Sequence, residues 1–130
     1  MRTLTKLELN AILESHKKWL LGEDEGVKAN LRYADLSGAD LRNARLNWVN
    51  WHEARYVKVY VAGLQSSRKN AQLTYIPSLD SATTGCWQDN WDNTKKRIYD
   101  VYAKGTRERK KYDLAIEYIN KQVELDSYEK

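Results

Sequence analysis

Residues 29–48 read Ala29-Asn30-Leu31-Arg32-Tyr33, Ala34-Asp35-Leu36-Ser37-Gly38, Ala39-Asp40-Leu41-Arg42-Asn43 and Ala44-Arg45-Leu46-Asn47-Trp48. One five-residue phrase recurs four times in strict phase. A period of five matches neither the 3.6 of a helix nor the 2 of a strand. It needs a backbone that turns a corner every five residues. Leu31, Leu36, Leu41 and Leu46 then point inward with Ala29, Ala34, Ala39 and Ala44, and the other three positions face water. Small Ala lets the wall approach the axis while Leu fills the middle. The register continues in weaker form through Val49–Glu53 and Ala54–Lys58, where Trp51 and Tyr56 replace the central Leu.

Upstream, Thr5, Glu8, Leu4 and Leu9 form a helix-start signature, with Thr5 as N-cap, Glu8 completing a capping box, and the two leucines as a staple. Leu9, Ile12, Leu13, His16 and Leu20 recur at helical spacing, and Gly22 is a stop. His16 has no second ligand at helical spacing and reads as a packing residue. An acidic linker, 23–26, leads to the repeats.

Downstream, residues 57–61 alternate as a strand, 63–70 read as a polar turn, and 71–76 form a second strand ended by Pro77. Residues 83–87, Thr83-Thr84-Gly85-Cys86-Trp87, read as a third short strand. The sheet is expected to continue from the repeats. Two helices follow. Asp89 or Asn90 caps the first, with Trp91, Thr94, Ile98, Val101 and Tyr102 inward. Gly105 ends it and Thr106 caps the second, whose stripe is Tyr112, Ala115, Ile116, Ile119 and Val123. The tail after Asp126 is expected to fray.

The repeated Ala-(Asp/Asn)-Leu-x-x pattern resembles the pentapeptide-repeat proteins. The resemblance implies a right-handed quadrilateral β-helix with four repeats per coil, so this chain holds about one and a half coils. Residues twenty apart should then stack at about the strand spacing of 4.8 Å, with Leu31 over Trp51, Leu36 over Tyr56, and Asp35 beside Arg55. So short a coil exposes core and backbone edges unless both ends are capped. A looser resemblance covers Gly63 through Ile119. It rests on Gly63-Leu64-Gln65-Ser66-Ser67-Arg68, on Gly85-Cys86-Trp87, and on Tyr112-Asp113-Leu114-Ala115-Ile116. These are similar to the C-terminal module of phage and prophage pentapeptide-repeat proteins.

The expected fold is therefore α+β and a single domain over 1–130. It comprises an N-terminal cap helix (1–22), the repeat coil (28–58), a small antiparallel sheet (59–87) and a C-terminal helical hairpin (89–125). A chain of 130 residues can bury roughly two-thirds of its unfolded surface. Phe is absent, against five Trp and nine Tyr, so aromatic packing falls to residues with a polar handle.

No catalytic, metal or cofactor site is legible. Cys86 is the only cysteine, which excludes an internal disulfide and suits a reducing compartment. It shares no motif with His16 or His52, and reads as a small buried residue in a strand. Asp35 and Asp40 occupy outward positions on different faces. No glycine loop for phosphate is present. The N-terminus lacks the apolar core of a signal peptide, and no apolar run reaches membrane-spanning length.

Charge is the other signal. The net charge is only +4, yet residues 95–111 hold Lys95, Lys96, Arg97, Lys104, Arg107, Arg109, Lys110 and Lys111 against Asp100 and Glu108. These basic residues, with Arg68 and Lys69 in the polar turn, form the candidate binding surface. Interleaved Tyr99, Tyr102 and Tyr112 add a nucleic-acid reading. The expected function is a non-catalytic binding protein of phage or prophage type, acting in the host cytoplasm on a host protein as an inhibitor or anti-defence factor. One alternative is a nucleic-acid module using 95–111. Another is a local DNA mimic acting on gyrase or a nuclease, with Glu23, Asp24, Glu25, Asp35 and Asp40 imitating phosphates. The resemblance brings in gyrase because long acidic members of the family mimic DNA, whereas Arg32, Arg42, Arg45 and Arg55 lie among the outward positions here. A homodimer is compatible with this reading and membrane contact is not expected.

Overall fold

The computed structural model describes residues 2–64 and 72–127. They form a mixed α+β structure with three α-helices and a small antiparallel sheet. The expected single domain contains two compact units, Met1–Lys58 and Val59–Lys130.

The first unit opens with β1 (Arg2–Thr3) and α1 (Lys6–Leu20). The capping box forms: Glu8 N donates to Thr5 Oγ1 at 3.0 Å, and Thr5 N donates to Glu8 Oε1 at 2.9 Å. Gly22 leaves the helix at φ +75°, a conformation that favours glycine. Gly26 packs against the Trp19 backbone so closely that no Cβ fits.

The corners of the repeats have a common chemistry. In each, the N–H that opens the next repeat donates to the carbonyl of the central residue: Ala34 to Leu31 (3.1 Å), Ala39 to Leu36 (3.0 Å), Ala44 to Leu41 (3.3 Å), Val49 to Leu46 (3.3 Å) and Ala54 to Trp51 (2.9 Å). The second-position Asn or Asp accepts the N–H two residues on. Asn30 takes Arg32 at 3.1 Å, Asp35 takes Ser37 at 2.9 Å, Asp40 takes Arg42 at 3.1 Å, and Asn50 takes His52 at 3.0 Å. That is an Asx turn at four of the five corners, the exception being the fourth repeat with Arg45 at that position, and it is the physical reason the phrase uses Asn or Asp. The fifth position then takes positive φ in each of the first five repeats: Tyr33, Gly38, Asn43, Trp48 and Glu53. Gly and Asn accept this readily, while Tyr, Trp and Glu are held there by the corner bonds.

Residues twenty apart pair in parallel, Asn30 with Asn50 and Asp35 with Arg55. Leu31 N donates to Asn50 O at 2.8 Å, and Leu36 N to Arg55 O at 3.0 Å. This register puts Trp51, buried, in the place Leu31 holds one coil earlier. Tyr56 departs from expectation. It is 69% exposed and not stacked with Leu36. The positive φ has moved from the fifth position of this repeat to Tyr56 itself, at +68°, which turns the chain out of register. Ala39 and Ala44 are half-buried, whereas Ala29 and Ala34 are buried. The residues twenty beyond them, Val59 and Leu64, belong to the second unit.

The N-terminus also differs from expectation. The cap is more than a helix, because β1 pairs in parallel with β2 (Ala34–Asp35), Arg2 with Ala34 and Thr3 with Asp35. Arg2 Nη1 donates to the Asn30 carbonyl at 2.7 Å. Strand and guanidinium together occupy backbone groups that a bare coil edge would expose.

In the second unit β3 (Tyr60–Gly63), β4 (Gln72–Ile76), β5 (Ser81–Thr84) and β6 (Trp87–Asp89) form an antiparallel meander in that order. It is a separate sheet and does not continue the ladder of the repeats. The single strand expected over 83–87 is instead a hairpin. Gly85 takes φ +55° and Cys86 does not take positive φ, which makes a two-residue turn of the type that wants glycine first. Cys86 is therefore exposed in a turn, not buried in a strand. Of the turn expected at 63–70, Gly63 instead ends β3, and residues 65–70, with Arg68 and Lys69, lie outside the described residues.

Two helices, α2 (Trp91–Val101) and α3 (Arg107–Ser127), complete this unit. Asn90 is the α2 cap, accepting from Asn93 N at 2.8 Å. The core joins Ala62, Leu64, Leu73 and Ala82 of the sheet with Trp91, Ile98, Tyr112, Ala115, Ile116 and Ile119. Buried polar atoms are matched: Trp91 Nε1 donates to Asn120 at 3.0 Å, and Trp87 Nε1 to Thr94 Oγ1 at 2.9 Å. Val101, expected inward, is 53% exposed because the helix ends there and Tyr102 turns to extended φ/ψ.

Candidate functional site

The outward face of the coil is chemically self-satisfied. Arg42 Nε and Nη2 each lie 3.0 Å from Asp40 oxygens, and these bonds hold the Asp40 carboxyl down to about 2. Asp35 accepts from the Ser37 hydroxyl at 2.7 Å, which also lowers its pKa. Two of the five acids that a DNA mimic would display, Asp35 and Asp40, are thus bound by their neighbours two residues on.

Inside the first unit His16 is fully buried. Ala29 N donates to its Nδ1 at 2.9 Å, and its Nε2 lies 2.6 Å from Asn47 O. Burial is the main force lowering its pKa, with Lys28 and Arg45 adding to it. This is a structural histidine that ties α1 to the repeats.

The basic stretch of the second unit divides. Lys95 Nζ stands 5.6 Å from the Trp91 ring centroid and 3.5 Å from Asp92. The Arg97 guanidinium lies 4.5 Å over Trp87. Arg109 sits 4.4 Å over Tyr99, bonds Asp113 at 3.1 Å, and donates to Tyr102 O at 3.1 Å. Arg109 is thus committed to joining the end of α2 to α3. Lys96, Lys104 and Arg107 are exposed. Cys86, Trp87, Arg97, Tyr102 and Tyr112 line a cavity of about 370 Å³. Among the described residues, no group of three or more His, Cys, Asp or Glu could hold a metal.

A larger groove, about 530 Å³, runs between β3 and α3. Val61, Ala62, Gly63 and Leu64 form one wall; Lys111, Leu114, Ala115 and Tyr118 form the other. Val61 is 40% exposed, Leu114 67% and Tyr118 52%. Strand and helix share an apolar surface there that is open to water.

Residues 27–50 match the family model described as pentapeptide repeats (8 copies). No curated protein and no solved structure matches the chain. The pentapeptide repeats belong to the first compact unit and the groove to the second. Among the described residues no helix is long and apolar enough to cross a membrane.

The groove was missed in the sequence because α3 carries two apolar stripes. Tyr112, Ala115, Ile116 and Ile119 account for the core. Leu114 and Tyr118, four apart on a different face, were the unused signal.

Proposed function

We propose that this is a non-catalytic binding protein of phage or prophage type that engages a host protein as an inhibitor or anti-defence factor. In this reading the pentapeptide repeats close as a short right-handed quadrilateral β-helix and serve as scaffold. The observation that carries it is the groove of the second unit, with Val61, Leu114 and Tyr118 exposed together.

The test is capture from infected host cells on wild-type protein and on a Leu114→Lys/Tyr118→Lys variant, followed by reconstitution with the purified partner. A host protein retained by the wild type and lost from the folded variant is expected. Equal retention by both overturns the reading.

A second reading, nucleic-acid binding, draws on the exposed Lys96, Lys104 and Arg107. It requires retention on DNA or RNA that falls steeply with salt and is lost when these three are neutralised.

A further inference from the structure

The cavity of about 370 Å³ beside the β5–β6 turn is walled by that turn, by α2 and its cap, and by Tyr112 of α3. It shares no residue with the groove between β3 and α3. Its walls are mostly ring and hydrocarbon. Tyr102 stacks on Tyr112 at 4.8 Å, and Ile98 and Val101 add branched carbon. Polar atoms of these walls bond one another: Trp87 Nε1 donates to Thr94 Oγ1 at 2.9 Å, and the Thr84 and Tyr112 hydroxyls share a hydrogen bond of 2.9 Å.

Arg97 is the one charged side chain of the lining, and among the described residues it has no carboxylate partner. Its guanidinium lies over the Trp87 ring, 4.5 Å from the centroid. Stacking uses the face of a guanidinium, while its N–H groups lie in the plane and stay available as a fork. We propose that this cavity binds a small aromatic carboxylate, with the carboxylate on Arg97 and the ring against the tyrosines and the apolar wall. The site goes beyond the host-protein reading and does not depend on it.

Size and wall chemistry select this ligand. Ligand pockets run from roughly 300 to 1,000 Å³, so a cavity of about 370 Å³ takes a small molecule. A cation, the usual guest among aromatic rings, is repelled by Arg97 and finds no acid in the lining among the described residues. A phosphate monoester brings two charges to a single cation. A carboxylate brings one and matches the fork in two parallel hydrogen bonds. An aliphatic acid would leave the ring contacts unused.

The test titrates benzoate, 4-hydroxybenzoate and indole-3-acetate, each beside its neutral primary amide, into the full-length ¹⁵N-labelled protein. Saturable shifts are expected at Cys86, Trp87 and residues 97–102 for at least one acid, with its amide weaker by at least about tenfold. Arg97→Gln should cost the acid a similar factor and leave the amide unchanged. Arg97→Lys keeps the charge but not the fork, so it should recover only part of the affinity. Val101 is 53% exposed, so Val101→Trp should fill the cavity without unfolding the chain.

Equal binding of acid and amide, full affinity in Arg97→Gln or Arg97→Lys, or no saturable binding of any of the three acids at millimolar concentration overturns the proposal. So does phenyl phosphate binding more tightly than benzoate. If Val101→Trp binds as the wild type does, the ligand sits elsewhere and the proposal falls. None of these outcomes bears on the captured host protein, which is tested at Leu114 and Tyr118.

Discussion

The main-chain N–H of Ala29 donates to Nδ1 of His16 across 2.9 Å. A nitrogen that accepts carries no proton, so the ring's proton is on Nε2, which donates to the Asn47 carbonyl at 2.6 Å. The neutral Nε2–H tautomer is therefore required by the first pentapeptide repeat on one side and the fourth on the other.

Protonating His16 would place a second N–H against that of Ala29. The folded-state pKa lies below the ordinary 6.5. Above 6.5 the ring is neutral folded and unfolded, and its contribution is complete. As pH falls below 6.5, the unfolded chain takes up a proton that the folded chain refuses, so stability declines. Urea midpoints of the first unit should fall from pH 7 toward pH 5, and this part of the decline should vanish in His16→Leu. That variant should also lose about 3 kcal/mol at pH 7, since two buried backbone groups lose their partner.

Ala34 is fully buried between β1 and the next rung. Ala34→Leu should cost roughly 2–3 kcal/mol or more by overpacking. Ala39→Leu should cost well under half of that, because Ala39 is only half-buried. Thermal unfolding of the two variants side by side tests the register, and equal losses would contradict it.

Gly26 and Gly38 separate crowding from strain. A Cβ at Gly26 meets the Trp19 backbone, which cannot swing aside. Gly26→Ala should thus displace the end of α1 and lower the midpoint strongly. Gly38 has open space but φ +69°, so Gly38→Ala should cost only about 1 kcal/mol.

Tyr75 stacks on Trp91 at 4.6 Å and donates to Asp80 at 3.1 Å. Burial, with Asp80 beside it, pushes its hydroxyl up to about 12. The unfolded phenol ionises near 10, so stability is complete below 10 and is lost as pH rises toward 12. Ultraviolet titration should show a late tyrosine that is absent from Tyr75→Phe.

The repeats were legible because each corner is a local device. Asn or Asp two residues before its bonding partner, Leu at the centre and Ala at the start need nothing from elsewhere in the chain. The capping box at Thr5 and Glu8 was legible for the same reason. The hairpin at Gly85 was locally encoded as well, but an alternating run on both sides hid it. β1 was not legible: two residues carry no periodicity, and only their pairing with Ala34 and Asp35 makes them a strand.

By itself, the sequence determined the period-five corners and most of the inner stripes of the helices, since these follow from residue type and short-range bonds; the twenty-residue spacing of paired rungs was what the family resemblance implied. Tertiary structure alone decided which positions lie bare. Tyr56 leaves the stack because its own φ turns the chain. Ala39 and Ala44 are less covered than Ala29 and Ala34 although all four open the same phrase. Leu114 and Tyr118 stay open because the sheet spends the other stripe of α3 on its core. Exposure depends on what lies across from a residue, and no local pattern records that.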